Sequence, residues 1–145
     1  MSPLFSVLKF IQYALTRRLH FPKDRIGEKI ALDNGIEWII FRQVIVDPDE
    51  RQPQKPGAIF RPRFHISNMT HKQNRRFSLL LIPFFVGLPG FRSKLWLYNQ
   101  ETGDSSGLYK WDTVKDAENY KNSFAARFLT RRSDPGSVSF EVIET

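Results

Sequence analysis

Cysteine is absent from all 145 residues. That excludes disulfides, thiolate catalysis and zinc–thiolate sites, and it suits a reducing compartment. Histidine is scarce, with three in the chain, His20, His65 and His71. Without cysteine they are too few for a tight transition-metal site. Long apolar runs are missing as well. The longest, Leu79–Leu88 and Pro3–Leu8, fall well short of the roughly 20 residues that cross a bilayer. The N-terminus has no basic lead and no small-residue cleavage site, so the expected location is cytoplasmic. No GxGxxG, phosphate-loop, GxSxG or HExxH pattern occurs. No carboxylate pair stands out either. Asp112, Asp116 and Glu118 gather where a helix is expected to start, and there negative charge suits the helix dipole.

Aromatic residues are plentiful: thirteen Phe and three Trp. They imply a bulky aromatic core or an aromatic-lined pocket. The net charge of +7 divides as +3 over residues 1–22, −1 over 23–57 and +5 over 58–145. A basic excess can attract nucleic acid, anionic lipid or acidic ligands. Its simpler reading is a basic protein with a solvated surface.

Residues 4–19 read as an amphipathic helix. Leu4, Val7, Leu8, Ile11, Leu15 and Leu19 recur at helical spacing, and Arg17 and Arg18 close the last turn. Such a helix packs on its own domain or a dimer partner, with contact to a membrane surface a less favoured alternative. Residues 28–46 read as a β-hairpin turning at Asp33-Asn34-Gly35, because Asn-Gly accepts the positive φ angles of a tight turn. Residues 47–57 hold three prolines and several charges and read as a linker or surface loop. Residues 1–57 are therefore an extension preceding a main unit over 58–145.

In that unit, Ala58–Ile66 alternates. Phe60, Phe64 and Ile66 point one way, and Arg61, Arg63 and His65 the other. Pro62 makes the strand irregular or an edge. Ser67 or Asn68 is placed to cap a helix carrying Phe77, Leu80, Leu81, Phe84, Phe85 and Leu88. Pro83 kinks or shortens that helix. Phe91–Asn99 is a strand with Phe91, Leu95 and Leu97 on one face and Arg92, Lys94, Trp96 and Tyr98 on the other. Thr102-Gly103-Asp104 turns into a partner strand, Ser106–Trp111. Thr113 and Asp116 open a helix with Ala117, Tyr120, Phe124 and Phe128 as its stripe. Val138, Phe140 and Val142 alternate in a last strand. The order is β-α-β-β-α-β: an α+β, ferredoxin-like unit behind an N-terminal helix and hairpin.

Chemistry concentrates on the sheet. Trp96 and Tyr98 on one strand and Tyr109 and Trp111 on its neighbour form an aromatic wall, if they share a face, beside Arg92, Lys94 and Arg63. Such a wall suits a planar anionic or phenolic ligand. Cross-strand aromatic pairs also stabilise sheets with no ligand at all. His65 and His71 can approach each other across the strand–helix junction. The same element order occurs in RNA-binding sheets, but Gly107-Leu108-Tyr109-Lys110-Trp111 barely approaches their aromatic signature, so nucleic acid is not favoured as a partner.

Three stretches carry a resemblance: Pro89-Gly90-Phe91-Arg92-Ser93-Lys94-Leu95-Trp96, then Gly107-Leu108-Tyr109-Lys110-Trp111, then Ala117-Glu118-Asn119-Tyr120. Over roughly Ala58–Glu144 the chain resembles the dimeric α+β barrel superfamily, and more narrowly its small monooxygenases related to antibiotic-biosynthesis monooxygenases. The resemblance implies a homodimer packed sheet against sheet, with a pocket in each protomer between sheet and helices. It also implies oxidation of aromatic or polyketide-like substrates by oxygen, with no metal or flavin cofactor. On that reading Arg63, Arg92, Trp96, Tyr109 and Trp111 bind substrate. His65 is the catalytic proton acceptor, since its ordinary pKa suits proton transfer near neutrality. An enclosed apolar cavity of several hundred Å3 is then expected. The alternative is a non-catalytic ligand-binding or protein-interaction module of the same fold.

Overall fold

The computed structural model describes residues 2–32 and 35–145. Thr70 begins the first helix of the main unit. Its side chain accepts from the Gln73 backbone while the Gln73 side chain accepts from the Thr70 backbone, a reciprocal cap that satisfies two otherwise unpaired donors. Thr70 takes the place expected of Ser67 or Asn68. The resulting helix breaks into three pieces around Pro83: α2 (His71–Ser78), a 3-10 turn (Leu79–Leu81) and α3 (Ile82–Val86). Leu80, expected in the apolar stripe, is exposed because the break rotates it outward.

A second break was not expected. Thr113 caps α4 (Val114–Lys121) and Ser123 caps a separate α5 (Phe124–Arg131), each accepting from the backbone three residues on. The single helix read from Ala117 to Phe128 is thus two, because Ser123 offers a fresh N-cap.

The strands are β1 (Leu19–His20), β2 (Lys29–Leu32), β3 (Ile36–Val46), β4 (Ala58–Phe64), β5 (Phe91–Tyr98), β6 (Ser105–Trp111) and β7 (Ser139–Glu144). They form one antiparallel sheet in the order β1-β3-β5-β6-β4-β7, with β2 also on β3. The segment β4-α2/α3-β5-β6-α4/α5-β7 is the expected ferredoxin-like unit. β3 extends its sheet along β5, from Ile39 opposite Tyr98 to Ile45 opposite Ser93. Of the expected hairpin turn, Asp33 and Asn34 lie outside the described residues. Its flanking strands pair from Lys29 opposite Ile39 to Leu32 opposite Ile36.

Two apolar clusters divide across the sheet. The larger lies under the helices and joins Phe60, Trp96, Tyr109 and Trp111 to Phe85, Tyr120 and Leu129. The smaller joins Trp38 and Ile40 of β3 to Leu95 and Leu97 of β5, with Ile30 and Leu32 of β2 packed against it. The extension therefore covers part of the outer sheet face with its own side chains.

The N-terminal helix departs most from expectation. α1 runs Pro3–Leu15, capped by Ser2. Arg17, at φ 60, ends it, so Arg17 and Arg18 lie beyond the last turn. Arg18 instead donates to the Asp47 carbonyl at 2.9 Å. Ser6 is buried, with Phe10 and Tyr13 packed on the core. Of the expected stripe, Leu4, Leu8, Ile11 and Leu15 are exposed, while Val7 and Leu19 are half-buried.

Candidate functional site

The aromatic wall faces the helices, and a strand irregularity sets its composition. The β5–β6 register shifts between Phe91 and Ser93. An extra residue in a strand reverses which side its neighbours face. Phe91, expected with Leu95 and Leu97, therefore packs under the helices against Phe85, on the same side as Lys94, Trp96 and Tyr98. From β6, Tyr109 and Trp111 reach the same interior. Trp111 stacks on Tyr120 with centroids 5.3 Å apart, and the Tyr109 and Tyr120 hydroxyls share a hydrogen bond of 3.0 Å. Burial holds both phenols protonated, with pKa values pushed well above the ordinary tyrosine value.

Lys94 is the unusual member of this interior. Its ammonium position lies 4.3 Å from the ring centroids of Trp96 and Tyr109 and 4.7 Å from that of Phe85. Among the described residues its side chain makes no hydrogen bond or ion pair. Burial first, and the neighbouring Arg42 second, lower its pKa well below the ordinary lysine value. Arg42 reaches across from β3, with its guanidinium 5.0 Å from the Trp96 ring. It donates to Ser78 Oγ and the Arg75 carbonyl, both at 2.8 Å. A small cavity of about 20 Å3 opens beside Lys94 and Trp96, bordered by Phe41, Phe64, Asn74 and Phe77. Asn74 is buried and donates to Ser105 Oγ at 2.9 Å. The indole N–H of Trp96 is buried without an acceptor.

The expected site residues therefore separate into three places. Trp96, Tyr109 and Trp111 come together inside. Arg63 and His65 do not join them. Asp104 accepts from Arg63 Nε at 3.0 Å and stands 3.3 Å from His65 Nδ1. These two residues point to the sheet's other face, as β4 alternation dictates. Arg63 borders an open cleft of about 490 Å3, shared with Lys29, Glu37, Asn99 and Glu101. Arg92 is elsewhere again. It donates to the Pro53 and Gln54 carbonyls at 2.7 and 2.9 Å and to Asp112 at 3.0 Å, and so holds the proline-rich loop. His71 pairs with Tyr98, not His65; the two rings stack with centroids 3.5 Å apart. No cluster of metal-ligating groups occurs among the described residues. Among the described residues the space beside Lys94 and Trp96 under the helices is about 20 Å3 and not the expected several hundred, because Phe41, Phe77, Phe85 and Leu81 pack there.

Lys94 was expected beside the aromatic wall but not among the binding or catalytic residues, and Asn74 was not expected at all. The signal for Lys94 was its alternation in phase with Trp96 and Tyr98. Asn74 sits on a helix whose partner strand is distant in sequence, and nothing local marks it.

The fold defines a class: a ferredoxin-like α+β sheet with helices on one face. No family model matches the sequence, and no curated protein matches it. Solved structures do match. An uncharacterised ferredoxin-fold protein related to antibiotic biosynthesis monooxygenases, from Listeria monocytogenes, superposes with TM-score 0.58 at 10% identity, over 93% of this chain and 86% of that one. A heme-degrading enzyme of Listeria monocytogenes gives 0.53 at 10%, over 92% and 90%. An anthrone oxidase-like protein gives 0.52 at 16%, over 75% of this chain and 54% of that one. The structural neighbours are thus monooxygenase-like ferredoxin-fold proteins of low sequence identity, and the likeness establishes fold. Among the described residues no helix is long and apolar enough to cross a membrane.

Proposed function

We propose that this chain is a small-molecule oxidoreductase, a monooxygenase that oxidises a flat aromatic or polyketide-like substrate with molecular oxygen and no bound cofactor. The observation that carries the reading is the helix-covered interior where Trp96, Tyr109 and Trp111 meet around polar groups. Flat apolar walls with a few convergent polar groups are what such a substrate needs. The fold is also shared with proteins described as monooxygenase-related and anthrone oxidase-like. In the proposed reaction an activated ring CH2 and O2 give C=O and H2O. The substrate supplies all four electrons, so no reductant is required. Substrate enters by parting the segmented α2–α3 stretch from the sheet. We place the site in this interior and not at His65, whose Asp104 partner holds it on the other face.

The closed interior favours a second reading, a non-catalytic ligand-binding or interaction module of the same fold. An oxygen electrode separates the two. Wild-type protein with an anthrone is expected to consume one O2 per carbonyl formed, with at least a tenfold loss in Trp96→Ala. Uptake no faster than the protein-free blank supports the module instead.

The proposed assembly is a homodimer through the outer sheet face, where Ile59, Leu108 and Ile143 retain exposure. Light scattering that returns the mass of one chain at micromolar concentration removes that assembly.

A further inference from the structure

Buried lysines are rare unless paired. Lys94 is 7% exposed, and among the described residues nothing hydrogen-bonds its side chain. Three ring faces surround the amine. Aromatic faces attract a cation and so make the protonated form tolerable without fixing it. Desolvation and Arg42 act the other way. The amine therefore gives up its proton more readily than an ordinary lysine. The charged and titratable groups next to it are Arg42 on β3 and Tyr109 on β6; Tyr120 on α4 lies beyond Tyr109, Arg75 on α2 beyond Arg42, and His71 on α2 against Phe41 and Tyr98. No carboxylate borders the adjoining space. Nothing in that space competes for a proton delivered to Lys94, and nothing neutralises the charge it would gain. An anion arriving with that proton supplies the missing partner. Trp96, whose buried indole N–H has no acceptor among the described residues, borders the same space.

We infer that Lys94 is the proton acceptor and counter-ion for an acidic hydroxyl compound, a phenol or enol, bound between the sheet and α2 once the two part, because the closed space of about 20 Å3 holds no more than a water. The step is a proton transfer: the O–H bond of the ligand breaks, an N–H bond forms at Lys94 Nζ, and an oxyanion–ammonium pair remains. This rests on the oxygenase reading for its purpose, since an oxyanion is the electron-rich form that reacts with O2. The transfer itself requires no oxygen and is tested separately.

4-Nitrophenol is the probe, because loss of its proton turns it yellow. In buffer below its own pKa, wild-type protein is expected to bind it and favour the phenolate at least tenfold over free solution. Calorimetry in two buffers of different ionisation enthalpy counts the protons. Wild type is expected to release none, because Lys94 keeps the proton. Lys94→Arg, already charged, is expected to release one. Lys94→Met, an apolar replacement of similar length, is expected to remain folded by thermal unfolding and to bind the phenol un-ionised. The proposal is overturned if wild type binds no phenol, leaves it un-ionised or releases a full proton, or if Lys94→Met ionises it equally. Oxygen uptake with an anthrone is followed in parallel. Ionisation of the probe without oxygen uptake removes the oxygenase reading and leaves Lys94 in its role. Uptake without ionisation does the reverse.

Discussion

Ser6 and Gly87 meet backbone to backbone: a Cβ built on Gly87 would stand 1.9 Å from the Ser6 carbonyl oxygen. Gly87 has an ordinary helical φ of −79°, so glycine is required here by space and not by conformation. This contact seats α1 on α3 and joins the N-terminal extension to the helix layer over the site.

Gly87→Ala is expected to lift α1, since the clash is with main chain and cannot relax through a side-chain rotamer. The packing of Ser6, Phe10 and Tyr13 would be lost with it. Overpacking of this kind costs about 1–3 kcal/mol. Thermal unfolding should show a lower Tm, and amide exchange over residues 3–15 should accelerate. Unchanged exchange there would show that α1 is held by something else.

Lys94 predicts a pH-dependent stability. Its folded-state pKa is lowered while the unfolded value stays near the ordinary ~10.4. Between the two, the unfolded chain binds the extra proton, so stability rises with pH across that window. The slope is at most about 1.4 kcal/mol per pH unit for one group. Lys94→Met is expected to stabilise the protein most at neutral pH and progressively less toward pH 9.5. Above about pH 10 the buried tyrosines oppose the trend in both proteins, because unfolding lets them ionise. Parallel denaturation curves for the two proteins across this range would refute the assignment.

The Tyr109–Tyr120 pair predicts non-additivity. Tyr120→Phe leaves the Tyr109 hydroxyl buried without its partner, at a cost of about 1–3 kcal/mol. Removing both hydroxyls leaves nothing unsatisfied. The Tyr109→Phe/Tyr120→Phe double variant should therefore be more stable than the sum of the single losses implies. Strict additivity in urea titrations would argue that water satisfies each hydroxyl alone.

Arg92 predicts a loop phenotype. Arg92→Met frees the Pro53 and Gln54 carbonyls and leaves the largely buried Asp112 carboxylate short of a donor, though Gln52 still reaches it at 2.9 Å. A loss of about 2–4 kcal/mol is expected, with limited proteolysis moving to residues 47–57. Resistance equal to wild type would show that the loop is held without Arg92.

Much of this was legible beforehand because it is local. Alternation placed Phe60 and Phe64 opposite Arg61 and Arg63. Pro83 broke its helix, and Thr113 capped the next. The candidate site was only half legible. Trp96, Tyr109 and Trp111 share a face by strand period and register, both readable from the chain. Arg63, Arg92 and His65 were assigned to that site too, and none of them belongs there. Arg92 is claimed by carbonyls far away in sequence, at Pro53 and Gln54. His65 follows its own strand's alternation to the opposite side.

The chain by itself determined the β-α-β-β-α-β order and the aromatic character of the interior. Period, caps and turn residues act over a few positions, so they survive without knowledge of the rest. Only the tertiary structure decided that β3 extends the sheet, that the Phe91–Ser93 shift turns Phe91 inward, and that α1 docks through Ser6 while its leucines face outward. It alone closed the expected cavity and left Lys94 among three rings without a partner. Those outcomes depend on which distant backbone or side chain arrives first within reach, and a hydrophobic period does not record that.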